Sequence, residues 1–204
     1  MRVGFVVEGP DDKAVIPVLV ARVLERATGS SPAITDELIR FAQFGKFGRH
    51  PWFYCGPLKS KGAEFVVAVF DNDRAPHDAR LRFIEEGLKA NPVAIFMTAV
   101  GIAVQEMEAW LLADVRTLAR VVSTEVAEPS AREDIPDPKA YLARIFAASP
   151  LLAMDSGTLA KIAEEIDIST IERECKSFRR FKDQVIDVAR RCASPTLQFP
   201  SSEG

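Results

Sequence analysis

Three short apolar runs in this chain have the composition of buried strands, and acidic residues follow each of them closely. The runs cover residues 3–7, 65–70 and 93–98. Nearly continuous β-branched and apolar residues bounded by turn residues are typical of parallel strands that are covered on both faces. This feature restricts the chain to an α/β fold with a parallel sheet.

The acidic residues that follow these runs predict a site at one edge of the sheet. Glu8 follows the first run, Asp71 and Asp73 follow the second, and Glu106 and Glu108 come shortly after the third. Sites in open α/β sheets lie beyond the carboxyl ends of the strands. Acids gathered there repel one another unless a cation neutralises them, and hard carboxylate oxygens suit Mg²⁺ or Mn²⁺. We therefore expect a divalent-metal site.

The other predicted elements complete a β-α-β-(α)-β-α-β-α order. Helices are expected at residues 11–27, 76–90 and 104–121, and a less regular second strand at residues 38–44. This order predicts one α/β domain over residues 1–122, with about four parallel strands flanked by helices. Residues 123–137 are rich in acids and prolines and are expected to form a surface linker. Residues 138–204 are expected to form a helical extension packed on the same domain, with helices at 139–147, 157–166 and 176–192.

The acids differ in how well a structural role would explain them. Asp11 and Asp12 stand at the start of a predicted helix, where one of them is expected to act as a cap. Glu8 precedes that helix, so a purely structural role is least expected for it. Asp71 and Asp73 can hold one metal or bridge two; the alternative is a turn that caps the next helix.

Helix geometry separates Glu106 from Glu108. At about 100° of rotation per residue, the apolar residues of the predicted helix at 104–121 share one face. Glu108 borders that face, whereas Glu106 is expected to point to solvent. Glu108 is therefore the predicted inward acid, and Asp114, about 70° from the centre of that face, is the second candidate.

Composition limits the class of protein. The chain has 204 residues, of which 48% are hydrophobic and 27% charged, which suits a single domain with a substantial core. No apolar stretch reaches the ~18–20 residues of a membrane helix, and Glu8 interrupts the first run too early for a signal peptide. Cys55, Cys175 and Cys192 lack metal-site spacing, so we expect reduced thiols in a cytoplasm.

A basic and aromatic segment lies between residues 38 and 62. It holds six aromatic residues, no acid, and five basic residues: Arg40, Lys46, Arg49, Lys59 and Lys61. Basic side chains bind phosphates and aromatic rings stack on bases, so the segment is predicted to bind DNA or RNA. The alternative is that the aromatic residues belong to the core and the charges to a solvated rim.

Several of these segments resemble known families. Glu8-Gly9 after the first strand, Asp71-Asn72-Asp73 after the third strand and a later helical Glu resemble the Toprim domain of topoisomerases, bacterial primases and overcoming-lysogenization-defect (OLD) nucleases. Residues 106–114, 137–139 and 177–181 look like a prokaryotic Toprim-like family, domain of unknown function 4276, over nearly the whole chain.

The resemblance implies a Toprim-like, Rossmann-like sheet and a function. Glu8, Asp71 and Asp73 would be the catalytic acids of a Mg²⁺ or Mn²⁺ site, and Asp12 and Glu108 would be further ligands. The implied reaction is metal-dependent cleavage of phosphodiester bonds in DNA or RNA, with Glu8 as a general base and the basic segment on the phosphates. The implied context is prokaryotic phage defence with a separately encoded ATPase.

Two other functions remain open at this point. The chain could be a non-catalytic binding subunit of such a system, with a degenerate metal site. It could also be a haloacid-dehalogenase-like phosphatase, in which Asp71 would be the nucleophile and Asp73 the acid/base. The phosphatase pattern normally lies on the first strand, whereas Asp71-Asn72-Asp73 follows the third predicted strand.

Overall fold

Four parallel strands form one sheet in the computed structural model, which describes residues 1–72, 76–90, 97–129, 131–149 and 152–193. The strands are β1 (Val3–Val7), β2 (Ile39–Phe41), β3 (Phe65–Asp71) and β4 (Thr98–Ala103). Their order in the sheet is β2-β1-β3-β4. Strands β1, β3 and β4 are almost entirely buried, as continuous apolar runs require. The predicted α/β fold with about four parallel strands is confirmed.

The predicted limits of two strands differ from the structure. The fourth strand is Thr98–Ala103 rather than residues 93–98, of which residues 93–96 lie outside the described ranges. Residues 93–103 are apolar nearly throughout, so their composition is compatible with a strand at either residues 93–98 or residues 98–103. The second strand spans only Ile39–Phe41, because a helix begins at Phe44.

Helices cover the sheet. In the predicted α/β domain they are α1 (Pro10–Thr28), α2 (Phe44–Arg49), α3 (Pro51–Ser60), α4 (His77–Lys89), α5 (Glu108–Leu111) and α6 (Val115–Val122). In the C-terminal extension they are α7 (Pro138–Ala147), α8 (Ser156–Glu165), α9 (Ile168–Glu174) and α10 (Lys176–Ala193).

The basic and aromatic segment is mostly helical. Helices α2 and α3 were not predicted, because glycine and proline residues lower the intrinsic helix propensity of this segment. Packing compensates for that propensity, since Phe47, Cys55 and Leu58 are fully buried. The segment therefore lies against the sheet instead of forming a loop.

The predicted single helix at residues 104–121 is wrong. Strand β4 continues to Ala103, and Gln105 adopts a left-handed backbone conformation with φ of 62°. Helices α5 and α6 follow as separate short elements, and Asp114 accepts a hydrogen bond from the Thr117 amide to start α6. A new N-cap inside the predicted helix is what divides it.

The C-terminal helices share one core with the sheet. The three predicted helices are present as α7, α8 and α10, and α9 is an additional one. Helix α8 packs on α1, and α10 packs on β3 and β4. Phe181 of α10 approaches β4 at Gly101, where an added Cβ would lie 2.7 Å from the Phe181 ring. The predicted linker also contributes buried side chains, Arg132 and Ile135.

Two of the motif segments meet in this core. The Trp110 indole N–H donates to the Ser177 hydroxyl at 2.8 Å, and its ring stacks on Phe181 with centroids 5.4 Å apart. Phe178 packs edge-on against the same indole. Helices α5 and α10 therefore pack against each other, and the motif segments at residues 106–114 and 177–181 lie side by side in the core.

Within the described ranges, none of the helices is long and apolar enough to cross a membrane. Cys55 and Cys175 are buried free thiols, and Cys192 is partly buried. Burial raises the pKa of Cys55 to about 11, so its thiol stays protonated near neutral pH.

Candidate functional site

Glu8 joins the ends of three elements. Its Oε1 accepts a hydrogen bond from the Phe44 amide at 3.1 Å, and its Oε2 accepts one from the Asp71 amide at 3.0 Å. The carboxylate thus ties the end of β1 to the end of β3 and to the start of α2. This is a structural role that the sequence did not predict. Each carboxylate oxygen keeps a second lone pair for another partner.

Asp71 is the last residue of β3 and holds the loop that follows β4. Its Oδ1 accepts a hydrogen bond from the Met107 amide at 2.9 Å. Burial raises the pKa of Asp71 to about 8, and repulsion from Asp12, Glu108 and Glu8 adds to the shift. A negative charge on Asp71 is therefore unfavourable without a cation nearby.

Asp12 lies in the first turn of α1 beside the same edge. Its Oδ2 accepts a hydrogen bond from the Gly9 amide at 2.8 Å, as expected for a helix-start acid. Burial nevertheless raises the pKa of Asp12 to about 6, and repulsion from Glu8 and Asp11 contributes. Asp12 is both a cap and a member of the acidic cluster.

Glu108, the first residue of α5, is only 3% exposed. Burial raises its pKa to about 7, and repulsion from Glu106 and Asp12 adds to the shift while Lys139 opposes it. Glu108 is the inward acid, although the single helix on which that prediction rested does not exist. Glu106 is less buried than Glu108, and its Oε2 accepts a hydrogen bond from the Lys139 amide at 2.8 Å.

Lys139, which was not predicted as a site residue, brings the C-terminal extension into the cluster. Its Nζ lies 3.0 Å from Asp11 Oδ2 and 3.5 Å from Glu108 Oε1. Ser156 donates to the other Asp11 oxygen at 2.7 Å. Burial raises the pKa of Asp11, but the Ser156 hydrogen bond and Lys139 outweigh it, so the pKa lies below its usual range.

The Lys139 interactions could not be found from spacing along the chain. Residues 137–139 stood out as a motif, but nothing in the sequence placed them beside Asp11, which is far away along the chain. The contact depends on how α7 packs against α5.

Gln105 adds backbone strain at this edge. Its φ of 62° is uncommon for a residue with a side chain. Its carbonyl accepts a hydrogen bond from the Asn72 amide at 3.0 Å, while its buried Oε1 has no hydrogen-bond partner among the described residues. Strained residues with unsatisfied polar atoms are found preferentially at functional sites.

The fold thus places Glu8, Asp12, Asp71 and Glu108 in one electrostatically coupled cluster, while Asp73 lies outside the described residues. Their hard oxygens and mutual repulsion fit the donor chemistry of a Mg²⁺ or Mn²⁺ site. No three acid, histidine or cysteine side chains in the described part of the chain are already arranged to hold an ion. A metal would therefore need a further ligand or a shift of these side chains.

The predicted phosphate-binding residues lie on the surface of the β2–α3 segment. All five are exposed: Arg40, Lys46, Arg49, Lys59 and Lys61. Lys61 donates to the Glu37 carbonyl at 3.2 Å. None of the five contacts an acid of the cluster within the described ranges, although the segment that carries them adjoins the edge through the Phe44 amide on Glu8.

The fold and the site together define a parallel α/β protein with buried acids at the carboxyl edge of its sheet. The chain belongs to the family DUF4276, described as a domain of unknown function, whose model matches residues 7–186. The resemblance of residues 106–114, 137–139 and 177–181 to this family is confirmed, whereas the resemblance to the Toprim domain stays a prediction. No curated protein and no solved structure matches the chain significantly.

Proposed function

We propose that this protein is a divalent-metal-dependent phosphodiester hydrolase, a nuclease of the Toprim type. The observation that carries the proposal is the gathering of Asp12, Asp71 and Glu108 at the carboxyl edge of one parallel sheet. Three separate elements, α1, β3 and α5, supply these acids. Ion pairing accounts for one of the three acids, because Glu108 lies 3.5 Å from Lys139 Nζ, whereas the protein partners of Asp12 and Asp71 are the backbone amides of Gly9 and Met107.

The residues that would hold the metal are Asp12, Asp71 and Glu108, together with Asp73 and the free lone pairs of Glu8. A bound Mg²⁺ or Mn²⁺ would polarise the scissile phosphate and lower the pKa of a bound water. Glu8 keeps the ends of β1 and β3 together and would accept the proton of the attacking water. The requirement that the acids be ionised makes metal affinity rise with pH.

Lys139 supplies a positive charge beside the acidic cluster, and Arg80 places a second one on the Asp71 carbonyl. The Lys139 side chain is 53% exposed, so its ammonium group can contact a ligand while it holds Asp11 and Glu108. A phosphate bound at the sheet edge would meet this charge. Arg40, Lys46, Arg49, Lys59 and Lys61 would bind the flanking DNA or RNA backbone.

The Toprim relationship and the biological context belong to the same proposal. The resemblance to OLD nucleases favours phage defence and a separately encoded ATPase as partner. Co-purification of the chain with the product of a neighbouring ATPase gene would test that context.

A second function, a non-catalytic binding subunit, is favoured by one observation. Lys139 already provides a cation to the acidic cluster, and the described acids are not arranged around an ion. In that case Lys139 and the acids would stabilise the fold through their ion pairs and would not bind a metal.

The deciding experiment is a cleavage assay on labelled DNA and RNA with Mg²⁺ or Mn²⁺, with and without any neighbouring ATPase. Asp71→Asn keeps the acceptor for the Met107 amide but removes a charge that the metal needs, so cleavage should fall at least about 100-fold. Asp36→Asn is the matched control, because Asp36 precedes β2 at the opposite edge and is exposed. The nuclease proposal would be rejected if the unmodified protein did not cleave nucleic acid, or if Asp71→Asn cleaved it at the same rate.

A further inference from the structure

The structure separates the six aromatic residues of the basic segment into two groups. Phe47 is fully buried, Phe44 packs on Phe70 and Phe83, and Tyr54 packs on Phe47. The other three are Phe41, Trp52 and Phe53, which are 53%, 39% and 74% exposed. Among the described residues the remaining exposed large hydrophobic side chain is Met1. Exposed apolar side chains concentrated on one surface indicate a binding site.

These three rings line two adjoining grooves. One groove, of about 740 Å³, runs between strand β2 and helix α3 and includes Arg40, Phe41, Trp52 and Phe53. The other, of about 660 Å³, shares Trp52 and Phe53 and includes Lys46 and Arg49. The rings thus lie in the middle of a path that has basic side chains on both sides.

The basic side chains along this path are available for a ligand. Arg40, Lys46 and Arg49 form no side-chain hydrogen bond or ion pair within the described ranges. The segment from residue 38 to residue 62 contains no acid that could pair with them. Free positive charge next to exposed rings complements a ligand that carries both anions and flat apolar faces.

Gly56 leaves room for the Trp52 ring against helix α3. A Cβ at position 56 would lie 3.0 Å from the indole Cε2, so the indole lies close against the backbone of α3. Glycine inside a helix is less favourable than alanine. Its presence here has a packing reason, because it lets the indole rest on the helix.

The path begins beside the acidic edge. Phe41, the last residue of β2, pairs in register with Val7, the residue before Glu8. The Ala42 amide donates to the Val7 carbonyl at 2.9 Å, and the Phe44 amide donates to Glu8. A chain bound along the grooves would therefore reach the sheet edge at Phe41.

We propose that this surface binds single-stranded nucleic acid, with unpaired bases stacked on Phe41, Trp52 and Phe53 and phosphates on Arg40, Lys46 and Arg49. The inference deepens the proposed function and rests on it in taking nucleic acid as the substrate class. A single strand exposes the faces of its bases, whereas a duplex keeps them stacked on one another. A second copy of the chain fits less well, because a symmetric contact would bring like charges together.

The test is binding of labelled single strands of about 20 nucleotides, as oligo-dT or oligo-U, and of a duplex of the same length. Anisotropy is measured in EDTA, so that binding is separated from cleavage. The single strands should bind at least about tenfold more tightly than the duplex and quench the fluorescence of Trp52, while Trp110 stays buried. DNA and RNA strands are compared to identify the sugar preference.

Phe53→Ala should weaken single-strand binding about tenfold, because one stacked base is lost. Arg49→Glu should weaken it and reduce its salt dependence. Lys161→Glu, an exposed charge reversal on α8, is the matched control and should change neither. Equal or tighter binding of the duplex, or full binding by Phe53→Ala, would overturn the inference. The inference would also be overturned if Phe53→Ala converted a dimer to a monomer and still bound nucleic acid as tightly as the unmodified protein.

The two proposals fail separately. Single-strand binding in EDTA without any metal-dependent cleavage would support this surface and reject the nuclease. Cleavage of duplex DNA by a protein that does not bind single strands would support the nuclease and reject this surface.

Discussion

Acidic residues of this chain occupy two kinds of position, the carboxyl edge of the sheet and the N-termini of helices in the second half. At the edge, burial and mutual repulsion raise the pKa values of Asp12, Asp71 and Glu108. At Asp167, hydrogen bonds from the Thr170 hydroxyl and from backbone amides lower the pKa. The carboxyl group is the same, and its partners decide which protonation state is favoured.

Asp114 shows that burial alone does not account for the difference. Burial raises its pKa, but amide hydrogen bonds from Asp167 and Thr117 outweigh that effect and leave the pKa low. Asp12 also accepts an amide hydrogen bond, yet its pKa remains high because burial outweighs that bond and repulsion from Glu8 and Asp11 adds to the shift. When the acids of the edge ionise, the described residues around them therefore compensate their negative charge only in part.

The largest expected effect is on the pH dependence of stability. At the edge the folded state binds protons more tightly than the unfolded state, so stability is present at low pH and is lost as pH rises through about 6 to 8. The cap acids have lowered pKa values, so their contribution is lost only as pH falls below the usual carboxyl range. The free energy of unfolding of the metal-free protein should fall by several kcal/mol between pH 5 and pH 8, more than any single substitution below changes it.

Urea unfolding in EDTA across this pH range measures the effect. If the free energy of unfolding stayed constant or rose towards pH 8, the negative charges of the edge acids would be stabilised by their surroundings, as those of the cap acids are.

Asp71→Asn should raise the free energy of unfolding at pH 8 by about 2 kcal/mol, because it removes one of the repelling charges and keeps the acceptor for the Met107 amide. The same urea titration, repeated at pH 5, should show a smaller gain, since Asp71 is already protonated there. Destabilisation at pH 8 would assign Asp71 to a purely structural role.

Asp167→Asn makes the same chemical change at a cap and should have the opposite sign. One Asp167 oxygen accepts from the Ser169 amide, and the other accepts from the Thr170 amide and hydroxyl. An asparagine keeps only one accepting oxygen, so stability should fall by about 1 kcal/mol at pH 7. Thermal or urea unfolding measures the change, and any gain in stability would remove the contrast between the two regions.

Lys139→Met should have the smallest effect. It removes the ammonium group near Asp11 and Glu108 and keeps most of the aliphatic side chain, so metal-free stability at pH 8 should fall by about 0.5 kcal/mol. In a double-mutant cycle with Asp71→Asn, the loss should shrink because less negative charge remains. Full additivity would indicate that Lys139 and the edge acids are independent.

Much of the fold could be predicted from local patterns. The apolar runs at β1 and β3 indicate buried strands, and Pro10 and Gly29 bound α1 because proline suits a first turn and glycine a left-handed end. The helices α2 and α3 could not be predicted, since tertiary packing of Phe47 and Leu58 overrides a weak propensity.

The site was predictable only in part for a related reason. Acids placed after strands follow from the topology rule for parallel sheets, so Asp71 could be expected at the edge. Lys139 and Ser156 reach the same edge from the C-terminal extension through contacts between helices, which no sequence period records. The hydrogen bonds of Glu8 to two backbone amides depend on the paired ends of β1 and β3.

Direct measurement of Mn²⁺ binding tests the central claim that the edge acids form a metal site. Calorimetric titration at pH 8 should give saturable binding with release of protons, and excess Mn²⁺ should raise the free energy of unfolding by about 2–3 kcal/mol at about 100 times the dissociation constant. Asp71→Asn should lose both effects, whereas Asp36→Asn should keep them. Absence of Mn²⁺ binding in the unmodified protein, or equal binding by Asp71→Asn, would contradict the account.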